Sequence, residues 1–93
     1  MNDKELLNQA IDDTDILSPK QKVAFKIICE SEYAVSSVTI EKSMNITRQA
    51  VYLTLKALLD RSFITRKKER IFLYSPSKLK ILELIERYKF NKK

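Results

Sequence analysis

Apolar residues recur along this chain at two spacings, and the switch between them outlines the fold. Over residues 3–13, Leu6, Leu7, Ala10 and Ile11 share one helical face. Asn2 or Asp3 is placed to cap that helix, with acids near its start favoured by the helix dipole. Asp12 to Asp15 then break the pattern. Ser18-Pro19 opens a second helix: serine caps, and proline in the first turn gives up an N–H that has no helical partner there. Val23, Ala24, Ile27 and Ile28 form its stripe, with Phe25 beside them, and it ends near Ser31. Tyr33-Ala34-Val35 is a short β-like run. Ser36 or Ser37 caps a helix of about residues 37–43, with Val38, Ile40 and Met44 turned inward. Asn45 makes the turn, because Asn tolerates positive φ better than most residues, and Ile46 anchors it. Thr47 caps the next helix, 48–60, which buries Val51, Leu55, Leu58 and Leu59, with Ala50 near the neighbouring helix.

Beyond residue 60 the period shortens. Phe63–Arg66 and Ile71–Tyr74 read as two strands of a hairpin around a charged tip, 66–70. Ser75-Pro76 repeats the Ser-Pro helix start, and a final helix of about 77–89 carries Leu79, Ile81, Leu82, Leu84, Ile85 and Tyr88. These positions cover two faces, more than one stripe buries against a small core. One face is expected to pack on the domain and the other on a second copy, through Leu79, Leu82, Ile85 and Tyr88. A wrapped core helix is the alternative. No repeat or linker interrupts the pattern, and 93 residues suit one domain with a modest core that a partner subunit would help. The expected architecture over residues 1–93 is α+β and mostly helical. It has a helix-turn-helix at about 37–60, a two- or three-stranded wing at about 63–74 and a C-terminal dimerisation helix.

Charge sharpens this picture. Residues 1–45 carry five Lys and eight acids, net −3; residues 46–93 carry eight Lys, five Arg and four acids, net +9. Such asymmetry suggests a surface that faces a polyanion, against the alternative of a generic solvated basic surface. The cations fall on the second helix of the pair and on the hairpin. A helix-turn-helix sets its second helix into the major groove, with the residues near its start reaching base edges. Thr47, Arg48, Gln49, Tyr52 and Lys56 are the recognition candidates; Arg bonds guanine, and Gln adenine, through two hydrogen bonds. Arg66, Lys67, Lys68 and Arg70 are the wing candidates for phosphate or minor-groove contact, with Lys67, Lys68 and Arg70 preferred. Taken alone, the helix pair also reads as an ordinary corner with a solvated polar face, and the tip as a hairpin kept soluble by charge. Lys89, Lys92 and Lys93 form a basic tail that either adds phosphate contacts or is a solvated terminus.

What is missing narrows the function classes. The chain has no histidine, one cysteine and no glycine. That removes most zinc sites, Ser-His-Asp and Cys-His catalysis, any intramolecular disulfide, and Gly-rich phosphate loops. No enzyme activity, cofactor or metal is expected. Cys29 reads as a buried structural thiol, since no cation adjoins it to lower its pKa. Tyr33, Phe63, Phe72 and Tyr74 read as core or sheet residues, with a base-stacking platform the minority alternative. The N-terminus MNDKELLNQAIDD is acidic and polar, unlike a signal peptide, and no apolar run approaches the roughly 20 residues of a membrane span. A cytoplasmic protein without membrane contact is expected.

The run VTIEKSMNITRQAVYLTLKALLDRSFITRKKERIFLYSP, within residues 33–76, resembles the winged helix-turn-helix of the bacterial and archaeal MarR, ArsR and TrmB-like regulators. The resemblance covers about half of the chain. It implies a homodimeric transcriptional regulator of double-stranded DNA, a repressor, with the recognition and wing residues named above. Three departures stand out. Ser62 replaces the usual glycine after the recognition helix, which predicts a different helix end, since a non-glycine residue at positive φ costs on the order of 1 kcal/mol. The wing is short and glycine-free. The histidines and paired cysteines of metal-sensing members are absent. Zα-type winged helices share the LLDRSFI-like corner, but they need a wing tryptophan that this chain lacks. Two other uses of the fold stay open: a plasmid or phage replication or partition factor, and a protein-interaction module.

Overall fold

The computed structural model describes residues 2–91 as five helices and three short strands. In chain order these are α1 (Asp3–Asp13), α2 (Pro19–Glu30), β1 (Val35–Ser36), α3 (Ser37–Met44), α4 (Arg48–Asp60), β2 (Ile64–Lys68), β3 (Phe72–Pro76) and α5 (Lys78–Asn91). The sheet is antiparallel in the order β1-β3-β2, so the wing has three strands, with β3 central and β2 at an edge. The arrangement is the expected winged helix-turn-helix.

Local chemistry sets the helix boundaries. Asn2 caps α1 by accepting from Glu5 N–H at 2.8 Å. Ser18 and Gln21 form a reciprocal capping box at the start of α2, with Pro19 in the first turn. Ser36 caps α3 and Thr47 caps α4. Each such cap contributes about 1 kcal/mol. Asn45 ends α3 in the left-handed region at φ 54° and ψ 47°, as its tolerance of that region predicts.

The end of α4 corrects an expectation. Ser62 takes φ 63°, so the glycine conformation is kept without the glycine. Ser62 N–H donates to Leu59 O at 3.0 Å and Phe63 N–H to Leu58 O at 2.9 Å. This is the Schellman pattern, and Leu58 and Phe63, which accompany it, are both buried. Satisfying two end carbonyls and burying that pair outweighs a left-handed serine's cost of about 1 kcal/mol.

The core joins α1, α2, α3, α4, the sheet and α5 through Ile11, Phe25, Ile28, Ile40, Val51, Leu55, Leu58, Ile64 and Leu84. Each large apolar side chain buried there contributes roughly 1.5–3 kcal/mol. Phe25 is central, not flanking, and meets Phe63 edge-to-face at 5.4 Å. Val23 and Val38, expected inside, are about half exposed, because α2 and α3 turn narrower stripes inward than their apolar spacing suggests. Thr54 is buried instead, its hydroxyl donating to Ala50 O at 2.8 Å. Tyr33 lies outside the strands and is 82% exposed. Pro76 ends β3 opposite Ile64, and Ser77 rather than Ser75 begins α5: its Oγ accepts from Lys80 N–H at 3.3 Å. A proline suits a strand end, where no ladder N–H is required of it.

Candidate nucleic-acid interface

Two left-handed corners, Asn45 and Ser62, frame α4. Between them the helix buries Val51, Thr54, Leu55 and Leu58 and turns Arg48, Gln49, Tyr52, Leu53 and Lys56 to solvent. At 100° per residue the exposed set spans less than half the helix circumference, opposite the buried set. Thr47 is exposed at the helix entry, where its Oγ1 accepts from Ala50 N–H at 3.1 Å. Its first task is therefore capping, though its hydroxyl proton is still available to donate.

The cations of this face have acidic neighbours. Arg48 Nε lies 4.0 Å from Glu41 Oε2 of α3, and Lys56 Nζ lies 3.2 Å from Asp60 one turn on. The Lys56–Asp60 pair is solvent-exposed and in the other pair only Glu41 is half-buried; such surface pairs are worth about 0–1 kcal/mol, so a phosphate or base edge competes with them readily.

The hairpin differs from its sequence reading in a useful way. The ladder runs on through Lys68, which pairs with Phe72, and only Glu69, Arg70 and Ile71 remain as the loop. Arg66 ends the expected strand, and Lys67 and Lys68, expected at the tip, continue it. An edge strand with solvent on both faces accepts charged residues without loss of pairing, which composition alone reads as loop. Side chains then alternate. Arg66 and Lys68 share the sheet face of Tyr74 and Phe72; Lys67 is on the other face, 3.6 Å from Glu69. The Arg66 guanidinium lies 4.4 Å and Lys68 Nζ 4.6 Å from the centre of the Phe72 ring. Arg70 is exposed in the loop.

A groove brings the two parts together. Tyr52, Lys56 and Asp60 of α4 line one side, and Arg66 and Tyr74 of the sheet line the other. Sequence reasoning placed the cations but missed Phe72 as their support and Asp60 as an acid among them. The signal for Phe72 was its position two residues before Tyr74, on the same strand face.

The expected dimerisation residues divide. Leu79 and Leu82 are 66% and 60% exposed. Ile85 and Tyr88 are half-buried against the core, and the Tyr88 hydroxyl donates to Gln9 Oε1 of α1 at 2.6 Å. Beside the exposed leucines runs a groove of about 600 Å³, lined by Leu6 and Leu7 of α1, Cys29 of α2, and Ile81, Leu82 and Ile85 of α5. Burial pushes the Cys29 thiol up to about 12, and Glu30 adds to the shift. Phe90, 74% exposed near the end of α5, was missed among the tail's polar residues. Lys89 is exposed; Lys92 and Lys93 lie outside the described residues. No helix among the described residues is long and apolar enough to cross a membrane.

No family model matches the chain, and no curated protein matches it in sequence. Solved structures do match it in fold. A protein of unknown function from Listeria innocua superposes with a TM-score of 0.65 at 21% identity, covering 91% of this chain and 64% of that one. MarR from Escherichia coli in its oxidized form gives 0.64 at 20%, covering 91% and 61%. A mutant of the same MarR, complexed with operator DNA, gives 0.62 at 20% with the same coverage. The chain thus spans just under two thirds of the length of these proteins. Its fold is a MarR-like winged helix.

Proposed function

We propose that residues 1–93 act as one winged-helix domain that binds double-stranded DNA with sequence specificity, as a homodimer, and regulates transcription by repression. One observation carries this reading: Tyr52 and Lys56 of the exposed face of α4 and Arg66 of β2 border the same groove. The fold it shares with MarR, whose mutant is complexed with operator DNA, supports the choice of ligand. In this reading α4 enters the major groove, with Arg48 and Gln49 at base edges and Tyr52 and Lys56 beside them. Arg66, Lys67, Lys68 and Arg70 meet phosphates, so affinity falls steeply with salt. Leu79 and Leu82, with the groove beside them, cover each other across a two-fold axis, and Ile85 and Tyr88 back that surface from the core side. Two α4 helices would then address half-sites about one DNA turn apart.

Selection of bound sequences from a random duplex pool tests the reading. A palindromic motif is expected, and enrichment of no motif would refute specific regulation. A winged-helix interaction module would use the exposed α5 face and leave α4 and β2 idle. Salt-dependent binding to random duplex separates it from the DNA reading.

A further inference from the structure

We propose that Phe72 is the positioning residue of the wing: its ring holds Arg66 and Lys68 together on the α4 side of the hairpin, making these two, rather than Lys67 and Arg70, the wing's main phosphate grip. The proposal rests on the DNA-binding reading and deepens it. Three observations support it. Both cationic groups lie within 5 Å of the ring centre, at 4.4 and 4.6 Å. The register sets Lys68 directly opposite Phe72, and Arg66 two residues along on the same face. Phe72 is 39% exposed, so its ring is accessible to the cations but does not serve the core.

Two like charges side by side on one strand face repel, and long flexible side chains relieve that by splaying apart. The negative face of an aromatic ring attracts both and offsets the repulsion. Cations already gathered lose less rotamer freedom when a phosphate arrives. Their direction matters as well. Arg66 lines the groove with Tyr52 and Lys56, and Lys68 shares its strand face, so the ring-held pair lies on the α4 side. Lys67 faces the other way and already has Glu69 as a partner at 3.6 Å. Arg70 sits in the three-residue loop with no strand register to fix it.

Phe72→Leu, Phe72→Tyr, Lys68→Gln and Lys67→Gln variants of the full chain test this on a random-sequence duplex, by fluorescence anisotropy across a salt series. Phe72→Leu keeps every charge but loses the ring. It is expected to weaken binding about tenfold at fixed salt, with a salt slope unchanged from wild type. Phe72→Tyr restores affinity to within about twofold, because the ring returns. Lys68→Gln lowers the salt slope by about one, and Lys67→Gln by clearly less. Wild-type affinity in Phe72→Leu overturns the proposal. Equal weakening in Phe72→Leu and Phe72→Tyr also overturns it, since the first lacks the ring and the second keeps it. Equal slope changes in the two lysine variants overturn the ranking of the cations. If wild-type protein binds no duplex, the DNA reading itself has failed. The ring's role is then judged on the free protein: upfield ring-current shifts of the Arg66 and Lys68 side-chain protons, lost in Phe72→Leu, uphold the positioning, and their absence in wild type overturns it.

Discussion

Helices α4 and α5 each anchor one face in the core and leave another in solvent, but the two free faces differ in kind. That of α4 is largely polar and cationic: Arg48, Gln49, Tyr52 and Lys56, with Leu53 as its one aliphatic member. That of α5 sets Leu79, Leu82 and, near its end, Phe90 among the charged Glu83, Glu86 and Lys89. Exposure of a polar face is the default for a surface helix and says little by itself. What singles out α4 is its setting: Tyr52 and Lys56 share a groove with Arg66 of the cationic strand β2. Exposure of large apolar residues beside a groove that mixes Leu6, Leu7, Ile81 and Ile85 with charged side chains has a cost, so α5 is informative through its exposed leucines. The candidate interface on α4 rests on what surrounds the helix, and that on α5 on what its own exposed face carries.

The largest expected effect breaks the comparison at α5. Replacing both Leu79 and Leu82 by Glu should weaken self-association by at least about a hundredfold, from the lost burial of two leucines at roughly 1.5–3 kcal/mol each. Sedimentation measured over a concentration series checks it. Leu53→Glu on α4 serves as the control and should leave the oligomeric state alone. Unchanged association in the double variant would make the α5 face an ordinary solvated surface.

Next, Arg48→Ala should cost about 1–3 kcal/mol on the preferred DNA site and much less on random duplex, flattening sequence preference. Competition binding with the two duplexes reads this directly, and equal losses on both would reduce Arg48 to a phosphate contact. Removing Lys67 and Lys68 together should instead weaken binding to every sequence and lower the salt slope. Retention of wild-type affinity and slope would remove the wing from the interface.

Smaller effects probe the scaffold behind both faces. Ser62→Gly should stabilise the fold by about 0.5–1 kcal/mol, seen as a rise of a few degrees in the thermal midpoint, because glycine enters the left-handed region freely. DNA affinity should not change. At the α5 groove, the Cys29 thiol is raised from 9.0 to about 12, so the folded protein holds that proton more tightly than the unfolded chain. The stability this adds is complete below pH 9 and is lost as pH rises towards 12. Cys29→Ala should flatten the alkaline decline measured by denaturant melts.

Features that depend on a few adjacent residues were legible in the sequence. Ser18, Asn45 and Thr47 mark boundaries through their own side chains, and the structure places them as expected. The exposed polar set on α4 followed from spacing alone. Features that depend on distant neighbours were not. Whether Val23 and Val38 are inside is decided by how α2 and α3 are rotated against the rest, which an apolar stripe does not encode. Five charged residues in a row, four of them cationic, read as a loop, but pairing with β3 makes Arg66, Lys67 and Lys68 strand. Phe72 was read as an ordinary sheet residue because its significance lies in two cations on the opposite strand.

The edge position of β2 has a consequence that concerns the protein before it meets any ligand. An edge strand offers unpaired backbone donors and acceptors to any passing chain, and long apolar edges invite sheet-to-sheet aggregation. Here the exposed edge carries Arg66, Lys67 and Lys68 in succession. Two copies approaching edge to edge would bring six positive charges together. The residues proposed to hold DNA would thus also keep free copies from pairing through the edge of β2. Duplex binding would neutralise them only where the nucleic acid itself now covers the edge.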